Sequence, residues 1–329
     1  MSARERRGAE SICSNNESEY SMRRVFDRLK PGRSASILMA LPLFLLFSCG
    51  EGPQSGDGGA EAAQTVEMEA DGMMPARRQK AFKKIFHAVP SPIETALLLE
   101  RSGIRFDPEA LNPIDKALGY STTAAQAVNL GIYAGDLSYS VIFNQNQKSV
   151  DYLNTCRRLC DGLGVGDIID GDLIERADNN REVRDSLVQI VTETFYDLNA
   201  RFRENGMEEV SGLMAAGGWI EGVYLGTRNL SASNEDLKLR IAEQKMTLDN
   251  LLGLIDSYPP TDELTKMKTA LSEVEAAYAN VKIQQNAAAA TAAEDGTVVI
   301  SGGPDVRFDD NALADIARSV AQIRNLYAQ

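Results

Sequence analysis

The chain runs to 329 residues and carries 47 acidic against 34 basic side chains, a formal charge of −13, with one histidine. That balance argues against a nucleic-acid binder, which needs a basic face to neutralise phosphates. A lone imidazole, His87, removes most His-dependent hydrolase and metal-site schemes.

Residues 1–21 are polar and without periodicity, and Cys13 lies among them. From Met22 the basic residues Arg23, Arg24, Arg28, Lys30 and Arg33 precede an apolar run from Ile37 to Phe47. This is the layout of a secretory signal, a positive n-region followed by a short h-region. The run is about half the roughly 20 residues needed to span a bilayer, and Pro42 interrupts it. Translation is expected to start at Met22, with a signal peptide at 22–48 inside a leader of residues 1–48.

The residues Leu46-Phe47-Ser48-Cys49 resemble the lipobox of bacterial lipoproteins, although Phe47 is bulkier than usual at its place. The resemblance implies a thioether-linked diacylglyceryl group on Cys49, cleavage before it, and acylation of the freed amino group. Three acyl chains exceed the two signals needed for stable anchoring, at ~0.8 kcal/mol per buried CH₂. Ordinary signal cleavage and an uncleaved anchor are the alternatives. The leader holds more basic than acidic residues, so its removal leaves a still more acidic chain. Its remaining length suffices for one large domain or two small ones.

Residues 49–74 then comprise the lipidated cysteine and a Gly-, Glu-, Ala- and Asp-rich stretch with few large apolar residues, expected to be a disordered stalk. A basic amphipathic segment, Ala76 to Ala88, follows. Ser91-Pro92-Ile93-Glu94 has the form of a capping box with proline at the first helical position, and Gly103 closes that helix. Asn112-Pro113 opens a short turn that Gly119 ends.

Ser121 is expected to cap a helix over about 122–143, apolar over more than half its circumference, with Asn129, Asp136 and Ser140 on a narrow polar strip. Its antiparallel partner spans about 147–161. Further helices are expected over about 180–204 and 207–229, the latter apolar all round and therefore buried. Ser233-Asn234 starts another, which Pro259-Pro260 cuts. From Thr261, Leu264, Met267, Leu271, Val274, Tyr278 and Val281 follow a 3-4 spacing like a coiled-coil seam. The alanine run 287–290 should fray, Thr297 to Ile300 has the look of a short extended piece, and a last helix begins near Asn311. The expected fold is all-α, a multi-helix bundle or an irregular αα-hairpin array behind a disordered leader and stalk. Its helical domain covers 75–329, divisible into subdomains of about 75–230 and 231–329.

Chemistry-bearing residues are few, and none forms a catalytic or cofactor motif. Cys156 and Cys160 share a helical face, as two buried thiols, a disulfide or redox pair, or part of a metal site; regular helix geometry suits a disulfide poorly. Gly162, Gly164 and Gly166 read as a helix terminator rather than a phosphate cradle, since no strand precedes them and no P-loop lysine follows. Around them Asp161, Asp167, Asp170 and Asp172 miss calcium-loop spacing and read as a solvated acidic loop. The stripes Gly131/Gly135 and Gly218/Gly222/Gly226 suit two tight helix crossings inside a bundle, with packing against each other one arrangement. Glu221 is the one charged residue between Gly212 and Gly226. A buried carboxylate must be paired, neutral or at a cavity, so Glu221 fits a structural ion pair, a binding pocket walled by Trp219 and Tyr224, or a catalytic acid.

The segments Phe86-His87-Ala88-Val89-Pro90-Ser91-Pro92, Asn129-Leu130-Gly131-Ile132-Tyr133 and Gly217-Gly218-Trp219-Ile220-Glu221-Gly222 resemble those of uncharacterised helical lipoproteins of Bacteroidota. The resemblance covers about residues 75–329 and implies an envelope location and an all-α fold, but no activity. The expectation is a non-enzymatic lipoprotein tethered to the membrane through Cys49, on the periplasmic face of the inner or outer membrane or at the cell surface. Its helical body would bind an envelope protein or small ligand, or act as a scaffold, without cofactor, metal or nucleic acid. The alternative is a helical ligand-binding or enzymatic lipoprotein that uses a pocket near Glu221 and Trp219.

Overall fold

Side-chain caps set where most of the helices begin. In a computed structural model, residues 89–231, 234–285, 289–292, 298–301 and 304–329 are described. The leader, Cys49, the stalk and the basic segment before Val89 therefore lie outside the described residues. Helix α1 (Pro92–Arg101) opens with the expected reciprocal box: Ser91 Oγ accepts from the Glu94 amide, and Glu94 Oε2 accepts from the Ser91 amide at 2.7 Å. Gly103, at φ 72°, turns the chain away. A 3₁₀ turn (Ile114–Leu118) leads into α2 (Thr123–Ile142), capped by Thr122 one residue later than expected. Helix α3 (Asn146–Gly162) ends where Gly164 takes φ 75° and the Val165 amide reaches back to the Cys160 carbonyl at 2.9 Å. This is the terminating role expected of the glycine run.

The acidic stretch after it is not all loop. Following a 3₁₀ turn (Gly166–Ile169), Asp170 caps a helix absent from the sequence expectation, α4 (Gly171–Asn179). Its short apolar signal, Leu173, Ile174 and Ala177, becomes decisive only once packed on the core. The Asn180–Val183 turn then delays α5 to Arg184–Glu204, from an expected start near 180. Next come α6 (Glu208–Arg228), α7 (Glu235–Ser257, capped by Asn234) and α8 (Asp262–Ala277, capped by Thr261). The expected seam on α8 continues past the helix: Tyr278 and Val281 are buried, but in a 3₁₀ turn and the residue that follows it.

Among the described residues four short strands come between α8 and α9, and part of the alanine run is strand rather than fraying helix. β1 (Lys282–Gln285) pairs antiparallel with β4 (Pro304–Arg307), Lys282 opposite Arg307. β2 (Ala289–Ala292) pairs antiparallel with β3 (Val298–Ser301), Ala289 opposite Ser301. Backbone pairing with a β-branched strand outweighs the helix preference of three or four alanines. Helix α9 (Asp310–Tyr327), capped by Asp309, closes the chain. The fold is all-α, with nine α-helices among the described residues.

The core is organised on α2 and α6, the most extensively packed pair. At their crossing a Cβ on Gly131 would strike the Met214 carbonyl oxygen, and one on Gly217 the Val128 carbonyl oxygen. Only glycine allows backbones so close. The remaining glycines of the two stripes serve different contacts. Gly135 faces the Glu221 side chain, Gly218 faces Pro92 and Gly131, Gly222 faces Thr95 of α1, and Gly226 faces Ile241 of α7 and Leu99. Helices from both sides of residue 230 pack on α6, among them α1, α7, α8 and α9. No helix among the described residues is long and apolar enough to cross a membrane.

Candidate functional site

Glu221 is fully buried on α6, and its cation comes from the far end of the sequence. Arg324 on α9 donates from Nε to Glu221 Oε2 at 2.9 Å and from a terminal nitrogen to Oε1 at 3.3 Å. The same nitrogen also donates to the Ala110 carbonyl at 3.3 Å. The guanidinium lies 4.5 Å from the centre of the Tyr224 ring, a cation–π contact strengthened by desolvation. Glu221 is thus in a two-point ion pair, the commonest solution for a buried carboxylate.

A second carboxyl joins it. Asp136, on the strip of α2 that looked merely polar, has no exposed surface, and neither do Asn129 and Ser140. Asp136 Oδ2 accepts from the Asn112 amide at 3.1 Å, its Oδ1 meets no N–H or hydroxyl donor, and its carboxyl neighbours that of Glu221. Burial first, then the Glu221 charge, push the Asp136 carboxyl well above the usual carboxylate range. Burial raises Glu221 as well, while Arg324 pulls it back. Burial disfavours the charge on Arg324, but Glu221 outweighs it and holds the guanidinium ionised.

Tyrosines and amides complete the polar core. Tyr152 donates to the Asn112 carbonyl at 3.0 Å and Tyr133 to the Pro113 carbonyl at 2.7 Å, while Asn112 Nδ2 donates to Tyr120 at 3.4 Å. Burial pushes the Tyr133 and Tyr152 hydroxyls above their usual range, so both stay protonated donors. The last turn of α9 is held twice more: Asn129 Nδ2 donates to the Tyr327 carbonyl, and Lys116 Nζ to the Ala328 carbonyl, each at 2.8 Å.

Trp219 is buried on α6, with its ring nitrogen donating to Gln244 Oε1 of α7 at 3.2 Å, whereas Tyr224 is half-buried beside Arg324. The two aromatics serve different contacts. Trp219, Glu221 and Tyr224 line none of three cavities of the body. One, of about 30 Å³, is apolar and bordered by Leu130, Cys156 and Met214. Another, of about 10 Å³, lies between Leu98 and Gly222. The third is an open cleft of about 300 Å³ bordered by Asp170, Asp172, Arg176, Glu193 and Asp197. Cys156 and Cys160 are separate buried thiols, and burial raises both above the usual thiol range, which leaves little thiolate.

Among the described residues no three acidic, histidine or cysteine side chains gather as metal ligands would. Asp167 is instead ion-paired with Arg201 at 2.6 Å. Asn112 and Arg324, which complete the Glu221 cluster with Asp136, had no distinguishing mark in the sequence. Asp136 did carry a faint one, as an acid within a largely apolar helix. Arg324 carried none, because a basic residue in the last turn of a terminal helix ordinarily compensates its dipole.

The chain matches no protein-family model, no curated protein and no solved structure.

Proposed function

We propose that this chain is a lipid-anchored protein of the bacterial envelope, whose helical body acts as a protein- or ligand-binding or scaffold module. The observation that carries the reading is the order of residues 22–50: a basic stretch, a short apolar run, then Leu46-Phe47-Ser48-Cys49 and an acidic, glycine-rich stretch. Acyl chains on Cys49 would tether the protein, and the stretch to about residue 74 would hold the body away from the lipid. The kinship with helical lipoproteins of Bacteroidota belongs to the same proposal.

The body's geometry argues against a substrate or ligand reaching Glu221. Both Glu221 oxygens face Arg324, and the carboxyl has no exposed surface from which to meet a substrate. The alternative, a ligand-binding or enzymatic pocket near Glu221 and Trp219, would require α9 to move first.

The test is acylation in a bacterial host. Wild-type protein should incorporate a clickable fatty acid, sediment with membranes and begin at a modified Cys49. Cys49→Ser should lose the label and the membrane association together. A wild-type product with an unmodified Cys49 and residues 1–48 still attached would overturn the reading.

A further inference from the structure

Two carboxyls and one guanidinium meet in the core. Among the described residues, the buried charged side chains are Asp136, Glu221, Lys238 and Arg324, and Lys238 reaches Glu235 and Asp310 elsewhere. If both carboxyls were ionised, a net negative charge would sit where no solvent reaches, and two carboxylates cannot hydrogen-bond to each other. One proton between them resolves both problems. Its place follows from the donors. Arg324 serves both oxygens of Glu221, whereas Asp136 has a single backbone N–H, that of Asn112, and its Oδ1 meets no N–H or hydroxyl donor.

The neighbouring titratable groups leave the count unchanged. α2 contributes Tyr133, α3 contributes Tyr152 and Cys156, and α6 contributes Tyr224; the segment before α2 adds Tyr120, against Tyr133. Burial holds Tyr133, Tyr152 and the Cys156 thiol in their neutral forms, and the Tyr133 and Tyr152 hydroxyls donate to backbone carbonyls rather than to Asp136.

We infer that Asp136 carries the shared proton and donates it to Glu221, and that this one proton makes the seating of α9 pH-dependent: clamped in neutral and mildly acidic solution, loosened as the pH rises. On the alkaline side the Asp136 O–H bond breaks and the proton passes to solvent. Two negative charges then face one guanidinium in a dry site. Hydration is the relief available, and α9 can supply it because it is not part of the α2–α6 crossing. The sign is opposite to that of an ordinary salt bridge. A carboxyl protonated in the folded state and ionised in the unfolded state gives stability below the usual carboxylate pKa, which is lost as pH climbs through its folded value. The inference is independent of the membrane anchor.

Hydrogen exchange read by mass spectrometry on the full-length protein tests it. After correction for the intrinsic rate, opening of residues 310–327 should increase with pH from pH 6 upward, by about tenfold per pH unit for as long as Asp136 is protonated in the closed state and ionised in the open one. Peptides covering residues 212–226 should not change. Asp136→Asn, whose amide donates to Glu221 without ionising, should make α9 opening independent of pH. Wild-type α9 protection that is flat over this range, or an Asp136→Asn protein with the wild-type pH response, would overturn the inference. So would equal loosening of α6. Should Asp136→Asn fail to fold, carboxyl-carbon NMR of the wild type decides: Asp136 is expected to titrate well above the ordinary carboxylate range, and an Asp136 that titrates within that range refutes the inference.

Discussion

Arg324 shows how far one side chain can govern a core. Its guanidinium is the cation for Glu221, a donor to Ala110 and the partner of the Tyr224 ring. Arg324→Met keeps most of the volume but strands a buried carboxylate, an error that typically costs about 3–5 kcal/mol. The loss should shrink in acid, where the stranded Glu221 can take up a proton. Pairing it with Glu221→Gln removes both charges and should recover part of the loss, because the two effects are not additive. Thermal melts at pH 5 and pH 8 check this. An Arg324→Met protein that melts like wild type at both pH values would remove Arg324 from its central place.

At the scale of elements, the α2–α6 crossing has no slack. Gly131→Ala places a methyl group against the Met214 carbonyl oxygen and the Gly218 amide, backbone atoms that cannot turn aside. Overpacking of this kind typically costs about 1–3 kcal/mol or more. Gly253, inside α7, has nothing within 4 Å of where its Cβ would stand. Gly253→Ala should therefore gain about 0.5–1 kcal/mol, the helix-interior difference between the two residues. Denaturant midpoints of the two variants should move in opposite directions. If both are neutral, the crossing is looser than its geometry implies.

For the whole molecule, the last residues carry unusual weight. The last turn of α9 and the residue after it are gripped by Glu221, Asn129 and Lys116 from three different segments. Deleting residues 324–329 removes the cation and both gripped carbonyls, leaving Asp136 and Glu221 without a countercharge. The truncated protein should lose its single cooperative melt and bind a hydrophobic dye, read by calorimetry and fluorescence. A sharp, near-native transition would show that the body closes without its last turn.

Much of the fold could be read locally. Ser91, Asn234 and Thr261 act as caps, Gly103 and Gly164 act as stops, and the apolar residues of α2, α6 and α8 fall where their spacing put them, because caps, turns and periodicity are properties of neighbouring residues. That Glu221 is buried and needs a partner was also legible, since its neighbours leave α6 no exposed face. Helix α4 and strand β2 were not, because their weak local signals are settled by what they pack against or pair with. Nor could spacing choose which arginine answers Glu221, or move Asp136 from a polar strip into the core. Those outcomes depend on three segments, more than a hundred residues apart at the ends, arriving at one dry point. There the cost of an uncompensated charge is decided by geometry that no stretch of sequence contains.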